Sequence, residues 1–390
     1  MPDQNANPVL PDLNSLRSTV ENSFPDFGPN KIREIMRLVF EISKRENSPI
    51  NTVLDSIPKT EKFPQIKKVL VSRRYPELTK AGVVIKDVFP GLDMNPVNAV
   101  NITHPISREP KIIYIENRAA GSSLAERIKG LFPRSSIQII DSYKSFSQSR
   151  DFVTTEYNRR LENFFLVKEE YDFFKTCPCS NGALSCGYHN ANFGLGCPFE
   201  CSYCFLQDYS NSPGIVFPVN LDDFFRSFES YPSAVRVGSG QNSDSLAWDH
   251  ITQFSPRIVE YFRRRPDSFF EFKTKSDNIS CLLSVKPAPN IVIGWSLNPQ
   301  KIIDREEFFT ASLAARLSAA CKCAGAGYST AFHFDPIFYY PRWEDDYASL
   351  VSLLFSRVPK ESIAWISLGT LRMTVRQKKM IENRFPENTI

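Results

Sequence analysis

The chain has 390 residues, enough for two domains or one large domain with an appendage. With 42% apolar and 23% charged residues it has the composition of a globular protein, which excludes disorder as its main state. Lys and Arg exceed Asp and Glu by four (47 against 43), a margin compatible with an anionic partner but far from a histone-like balance. No run approaches the roughly 18 apolar residues of a membrane-spanning helix. The start, MPDQNANPVLPDLNS, lacks the basic and apolar regions of a signal peptide, so a cytoplasmic protein without membrane association is expected.

Residues 1–24 are rich in Asn, Pro, Asp and Ser without a sustained period and read as a flexible lead-in. Residues 25–110 read as a helical region and linker. Within it Ile32, Ile35, Met36, Val39 and Ile42 recur at helical spacing, with Asn30 as the candidate N-cap, and a basic stretch carries Lys67, Lys68, Arg73 and Arg74. Residues 111–175 hold a βαβ unit: a strand at Lys111 to Ile115, a helix from Ser122 to Phe132 and a strand at Ser136 to Ile140. Beyond residue 176, six candidate strands alternate with helices. They are 191–195, 233–238, 269–274, 291–296, 329–334 and 364–369, with helices near 221–229, 250–265, 276–284, 304–324, 343–356 and 373–384. Such alternation argues for a parallel sheet of βα units, and six of this length fit a partial (β/α)6 TIM-type barrel over 176–390.

Six of the nine cysteines (Cys177, Cys179, Cys186, Cys197, Cys201, Cys204) fall within 28 residues. An odd count without a secretion signal argues against a disulfide framework and for core filling or metal ligation. Cys197, Cys201 and Cys204 stand at C-x3-C-x2-C directly after the first candidate barrel strand. Three thiolates on a short loop can hold one corner of a cubane and leave one iron open to a substrate or cosubstrate. A zinc knuckle or a purely structural cluster would more often show a second paired unit. Cys177, Cys179 and Cys186, with His189 nearby, are a candidate auxiliary metal site, against the simpler reading of thiols packed in a loop. Cys281, Cys321 and Cys323 read as core.

The triad, with Tyr203 before its last cysteine, resembles the radical S-adenosylmethionine (SAM) signature. From about Lys111 onward the chain resembles the spore photoproduct lyase family of that superfamily, through CSYCFLQ (Cys201 to Gln207), VNLDDF (Val219 to Phe224), FKTKSD (Phe272 to Asp277), GWSLNP (Gly294 to Pro299), FHFDPI (Phe332 to Ile337) and WISLGTLR (Trp365 to Arg372). The resemblance implies a radical SAM barrel, a 4Fe-4S cluster on Cys197, Cys201 and Cys204, SAM as cosubstrate, and an external one-electron donor such as flavodoxin or ferredoxin. It places Tyr203, Gly238, Ser239, Gly240, Ser243, Asp244, Lys275, Ser296 and Asn298 around SAM. His333 and Asp335 lie on the fifth barrel strand, as site residues or as satisfied core polar groups.

Family lyases, by the same resemblance, generate a 5′-deoxyadenosyl radical that takes hydrogen from a methylene-bridged thymine dimer in DNA. A base lesion must leave the stack to be reached, so such a site would want a deep pocket with a basic rim; Arg263, Arg264, Arg265 and the 67–74 run are candidates for it, against the commoner reading of a charge run as a solvated face. Two positions depart from the family. Gln241 stands where those lyases carry the hydrogen-donor cysteine, and Phe205 where they carry the tyrosine after the last cluster cysteine. Family members also continue beyond the position of Phe385 and Pro386. The expected function is therefore lyase-like radical SAM chemistry on a DNA base lesion. The alternatives are a radical SAM enzyme with a non-DNA substrate and a noncatalytic iron–sulfur module that binds nucleic acid.

Overall fold

The computed structural model describes residues 13–102, 109–149, 153–170, 173–177, 187–210, 212–231 and 235–388, in two compact units. The first comprises residues up to 99 together with 339–341 and 373–390. Its helices Leu13–Ser23, Pro29–Glu46, Ile50–Asp55 and Phe63–Arg74 bury Leu16, Val20, Ile35, Val39, Leu54, Ile66 and Leu70 in one core. The lead-in expected to be flexible over 1–24 is thus helical from Leu13. Leu16, Val20 and Phe24 repeat every four residues, and burial of that stripe outweighs the polar composition around it. The helix expected from Lys31 begins at Pro29 behind Gly28, since a proline's fixed φ and missing N–H suit the first helical position, and Asn30 is not its cap.

The last helix, Val375–Arg384, belongs to this first unit and not to the barrel. Glu382 is drawn in by the buried Arg37, whose Nη2 donates to Glu382 Oε2 at 3.1 Å and to Gly91 O at 2.7 Å, while its Nε reaches Pro90 O at 2.9 Å. A charge pair this deep is retained only when its remaining donors also find acceptors, and here they do.

The second unit, 100–338 with 342–372, carries two main sheets. Its strands in chain order are β1 (Ile112–Glu116), β2 (Ser136–Ile140), β3 (Asn163–Val167), β4 (Phe174–Thr176), β5 (Tyr188–Ala191), β6 (Glu200–Cys201), β7 (Ile215–Pro218), β8 (Arg236–Ser239), β9 (Phe269–Thr274), β10 (Ile291–Ser296), β11 (Glu307–Phe308), β12 (Ser329–Ile337) and β13 (Ile363–Thr370). The βαβ unit is part of a four-stranded parallel sheet in the order β2-β1-β3-β7. The larger sheet runs β13-β12-β10-β9-β8-β5-β4, with six parallel strands and β4 antiparallel at one end. Every sequential parallel strand lies beside the last, which is the winding of a βα barrel, here left open between β4 and β13.

β9 shows how the sequence sets this wall. Phe270 and Phe272 point outward, Phe270 packing on Phe262 of the helix Phe254–Arg263 with ring centroids 4.9 Å apart. Glu271 and Lys273, on the alternate face, point into the lumen. The first barrel strand is Tyr188–Ala191 and not 191–195, because the polar His189 and Asn190 pair with β8 while Leu195 bridges to Val216 of the other sheet. The helix expected over 304–324 is two helices, Gln300–Glu306 and Leu313–Ala326, separated by β11.

Candidate functional site

The cysteine loop follows the first barrel strand and is held at both ends. Arg160, fully buried, donates from Nε to Cys197 O at 3.0 Å and from Nη2 to Phe199 O at 2.8 Å, and pairs with Glu200 at 2.5 Å. Cys201 sits on β6, which pairs antiparallel with β11 in the register Cys201 to Glu307. Cys204 N donates to Cys201 O at 3.0 Å, closing the turn that carries the last two thiols. Ser202 is tied to Glu306 by both backbone and hydroxyl, and Gln207 Nε2 reaches back to Ser202 O at 2.6 Å.

Glu307 is the hub beneath this loop. Its carboxylate accepts from the Tyr203 hydroxyl and from Asn298 Nδ2 at 2.9 Å, and pairs with Arg316 at 2.6 Å, both side chains without solvent exposure. Burial alone would raise its pKa, but Arg316 and Lys275 outweigh burial and hold it at about 2, so the group is ionised. Lys275 is partly buried, with its ammonium 5.7 Å from the Tyr203 ring centroid. Burial would lower its pKa, yet Glu307 and Cys201 hold it above the ordinary lysine value.

Burial pushes the Cys197 thiol up to about 12, and raises Cys201 and Cys204 as well, against the opposing pull of Lys275 on the latter two. Such thiols become thiolates only with a metal to compensate. Among the described residues no three His, Cys, Asp or Glu side chains converge on one point fit for a single ion. A cubane asks for the opposite arrangement, one thiolate per iron on separate corners. Three thiols, Cys201 buried and Cys197 and Cys204 partly so, beside the cations of Lys275 and Arg160, fit an anionic iron–sulfur cluster.

The SAM-side residues expected from the resemblance divide into two sets. Gly238 and Ser239 end β8, and Gly240 follows with φ +103°, a backbone state that favours glycine. Gln241 follows in the same turn. Ser243 donates only weakly to Asp244 O at 3.4 Å. Asp244 accepts four hydrogen bonds from the chain itself, from Leu246 N, Ala247 N, Thr274 Oγ1 and Lys275 N at 2.7 to 3.0 Å. Asn298 is likewise committed, donating to Glu307 and accepting from the Tyr347 hydroxyl at 2.7 Å. The side chains of Asp244 and Asn298 therefore position the loop and β9 around the site. Ser296 ends β10 in register with His333, and its carbonyl accepts from Arg316 at 2.9 Å. Phe205 is 43% exposed against Tyr209.

A polar chain that the sequence reading did not resolve crosses the lumen. Tyr188 Oη donates to Glu271 Oε2 at 2.9 Å, Glu271 Oε1 meets His333 Nε2 at 2.6 Å, and His333 Nδ1 meets Ser367 Oγ at 2.5 Å. Two glycines on the intervening strands make room. A Cβ at Gly238 would lie 1.6 Å from Tyr188 Oη, and one at Gly294 2.6 Å from Glu271 Oε1. His333 is thus a satisfied buried group, and Asp335 is exposed near the end of β12. Glycines facing a lumen were the only signal in the sequence for this layer.

Most of the residues of the charge runs stand in ion pairs, while Lys68 is exposed. Lys67 pairs with Glu34, Arg73 with Glu46 and Arg74 with Glu41, at 2.5 to 2.8 Å; Arg263 and Arg264 share Glu260, and Arg265 faces Glu229 at 3.9 Å. Acidic neighbours one turn away on the helix or on facing helices account for this. Cys177 forms a backbone hydrogen bond to Tyr188 O at 2.9 Å, His189 Nδ1 contacts Gly187 O at 3.0 Å, and Cys179 and Cys186 lie outside the described residues. Cys323 is core, but Cys321 is only half-buried and its thiol reaches Arg357 O at 3.1 Å; Cys281 contacts Asp249 O at 3.6 Å.

An open parallel barrel of six βα strands with a three-cysteine loop after its first strand is the architecture of a radical SAM enzyme. The sequence profile of the spore photoproduct lyase family matches residues 108–390. Similar proteins include the spore photoproduct lyases of Geobacillus sp. (strain Y412MC61), 28% identical, and of Bacillus subtilis (strain 168), 26% identical, each over 294 residues, covering 72% of this chain and 84% of the relative. Among solved structures, a spore photoproduct lyase variant with bound AdoMet and dinucleoside spore photoproduct superposes with a TM-score of 0.62 at 25% identity, covering 74% of this chain and 85% of that one. The same lyase complexed with the dinucleoside alone matches equally well. The chain belongs to the spore photoproduct lyase family.

Proposed function

We propose that this chain is a cytoplasmic lyase-like radical SAM enzyme that acts on a methylene-bridged thymine lesion of DNA, with electrons from a flavodoxin- or ferredoxin-like donor. The observation that carries the reading is the three-thiol loop with Lys275 and Glu307 beneath it, in a chain of this family. Cys197, Cys201 and Cys204 would hold a 4Fe-4S cluster, and Lys275 would take the carboxylate of SAM. The backbone edge from Gly238 to Gly240 would face the SAM amino end, with Tyr203, Ser239, Ser243 and Ser296 around it. When bound, the cluster and SAM supply the reductive cleavage that yields a hydrogen-abstracting 5′-deoxyadenosyl radical. The protein's part is to orient the reacting atoms, to keep Lys275 charged, and to exclude water with Tyr203, packed edge-on to Phe338 at 5.1 Å.

Gln241 and Phe205 set the outcome apart from that of the thiol-bearing lyases. An amide and a phenyl ring cannot return a hydrogen atom, so the product radical is quenched by a route that does not use these positions. The test is anaerobic reconstitution with iron and sulfide, reduction, and addition of SAM with a thymine-lesion oligonucleotide, read by mass spectrometry for 5′-deoxyadenosine. Deoxyadenosine should form with the native chain and fall to background in Cys201→Ala. A fully loaded cluster that leaves SAM intact would overturn the enzymatic reading in favour of a binding module.

A further inference from the structure

The inward face of β9 carries Glu271 and Lys273, and Lys275 follows directly after the strand's last residue, Thr274. Glu271 is bonded to Tyr188 and His333, and Lys275 faces Cys201 and Glu307. Lys273, between them, has no carboxylate within ion-pair distance among the described residues. Its ammonium lies 4.9 Å from the centroid of the Tyr188 ring and influences Glu271 only at longer range. A second cation flanks the same ring: Arg236 lies 5.5 Å from the Tyr188 centroid and 4.6 Å from that of Trp365, with its Nε buried and without a hydrogen-bond partner. Lys273 and Arg236 therefore flank one aromatic ring with no carboxylate at ion-pair distance from either among the described residues.

Lys273 also starts at a telling place. A Cβ on Gly240 would lie 2.8 Å from Lys273 Cβ, so the lysine emerges against the residue that precedes Gln241. Gln241 is the position from which the family's donor thiol meets the lesion. We propose that Lys273 receives an anionic oxygen of the substrate, the phosphodiester that joins the two nucleosides of the lesion, and that the chain selects dinucleotide over dinucleoside by this contact. This rests on the lesion reading given above. A half-buried ammonium held only by an aromatic face and a distant carboxylate gains a charge-assisted hydrogen bond from a phosphate oxygen, and no comparable gain from a neutral sugar hydroxyl.

The test is calorimetric titration of the cluster-loaded, SAM-saturated protein with the dinucleotide and with the dinucleoside of the thymine lesion. The native chain should bind the dinucleotide about tenfold or more tightly, the lower end of what such a bond contributes. Lys273→Met should bring the two affinities together, and Lys273→Arg should keep them apart. Lys273→Gln carries the same test if the methionine variant does not fold. Equal affinities in the native chain, or a preference that survives Lys273→Met, would overturn the inference. If the native chain cleaves SAM yet binds neither compound, the lesion reading itself falls and this inference with it.

Discussion

Replacing Glu307 with Gln removes one charge from a pair whose two side chains are both without solvent exposure. Breaking a buried pair by removing one partner costs about 3 to 5 kcal/mol, because the other charge remains buried. The lower end applies here. Arg316 keeps three neutral acceptors, Ser296 O at 2.9 Å, Ala311 O at 2.8 Å and Thr310 Oγ1 at 2.6 Å, and a glutamine oxygen can still accept from Tyr203 and Asn298. A loss of about 3 kcal/mol corresponds to a urea midpoint lower by about 1 M at a slope near 3 kcal/mol/M. All four tryptophans, Trp248, Trp295, Trp343 and Trp365, lie in the barrel unit, so their fluorescence reports its unfolding. Because β11 carries both Glu307 and the backbone partner of Cys201, the variant should also release iron faster after reconstitution. The apolar double replacement Glu307→Leu with Arg316→Met should not recover the midpoint, since it leaves Lys275 without its carboxylate and Tyr203 and Asn298 without their acceptor. A loss below about 1 kcal/mol in the single variant would refute the assignment of Glu307 as the hub.

Three further substitutions test the lumen, a helix end and the helical unit. Gly294→Ala would put a methyl 2.6 Å from Glu271 Oε1 and 2.8 Å from His333 Nε2 and should lower stability by about 2 kcal/mol. The same change at Gly325, near the end of a helix with nothing within 4 Å, should raise the melting temperature slightly; equal effects at the two sites would show that the polar layer is not tightly packed. Glu41 has its pKa raised by burial but lowered more by Arg74, Lys378 and Arg37, so its folded value lies below the unfolded 4.5. Its contribution is complete above the unfolded value and is lost as pH falls through the folded one, so acid unfolding of the native chain should be steeper below about pH 4.5 than that of Glu41→Gln. Parallel curves by circular dichroism would dismiss this role.

How far the sequence carried depended on whether the determining contacts were local. β9 and β10 lie where apolar runs with turn residues at their ends place them, and the helix Leu221–Glu229 matches its residue spacing, because burial of one face decides each of these. β3 and β7, NFFLV and IVFP, were not anticipated, although both are continuous apolar runs of the kind that parallel strands buried on two faces display. β11 was beyond reach for a different reason. Two residues, Glu307 and Phe308, interrupt a long helical pattern only because Cys201 and Glu200 lie opposite them, and no period within 304–324 encodes that pairing. The site divides along the same line. The thiols and Lys275 are legible from spacing and resemblance. The commitment of Asn298 to Glu307 and Tyr347, and of Asp244 to four groups of its own neighbourhood, follows from tertiary geometry that turns apparent ligands into supports.

The pairing of β6 with β11 has a consequence for how the protein is made. Ser202 and Tyr203 take their side-chain partners from Glu306 and Glu307, each 104 residues later in the chain. At roughly 5 to 20 residues per second, a ribosome needs about 5 to 20 s after releasing the cysteine loop before those partners exist, and longer before they clear the exit tunnel. Throughout that interval the three thiols are present but unframed. Cluster delivery that waits for the completed chain would meet a shaped cradle, whereas delivery during synthesis would meet a loose peptide open to oxidation and to competing metals. The protein's biogenesis is therefore ordered by its own topology, with translation past Arg316 preceding stable loading of iron and sulfide.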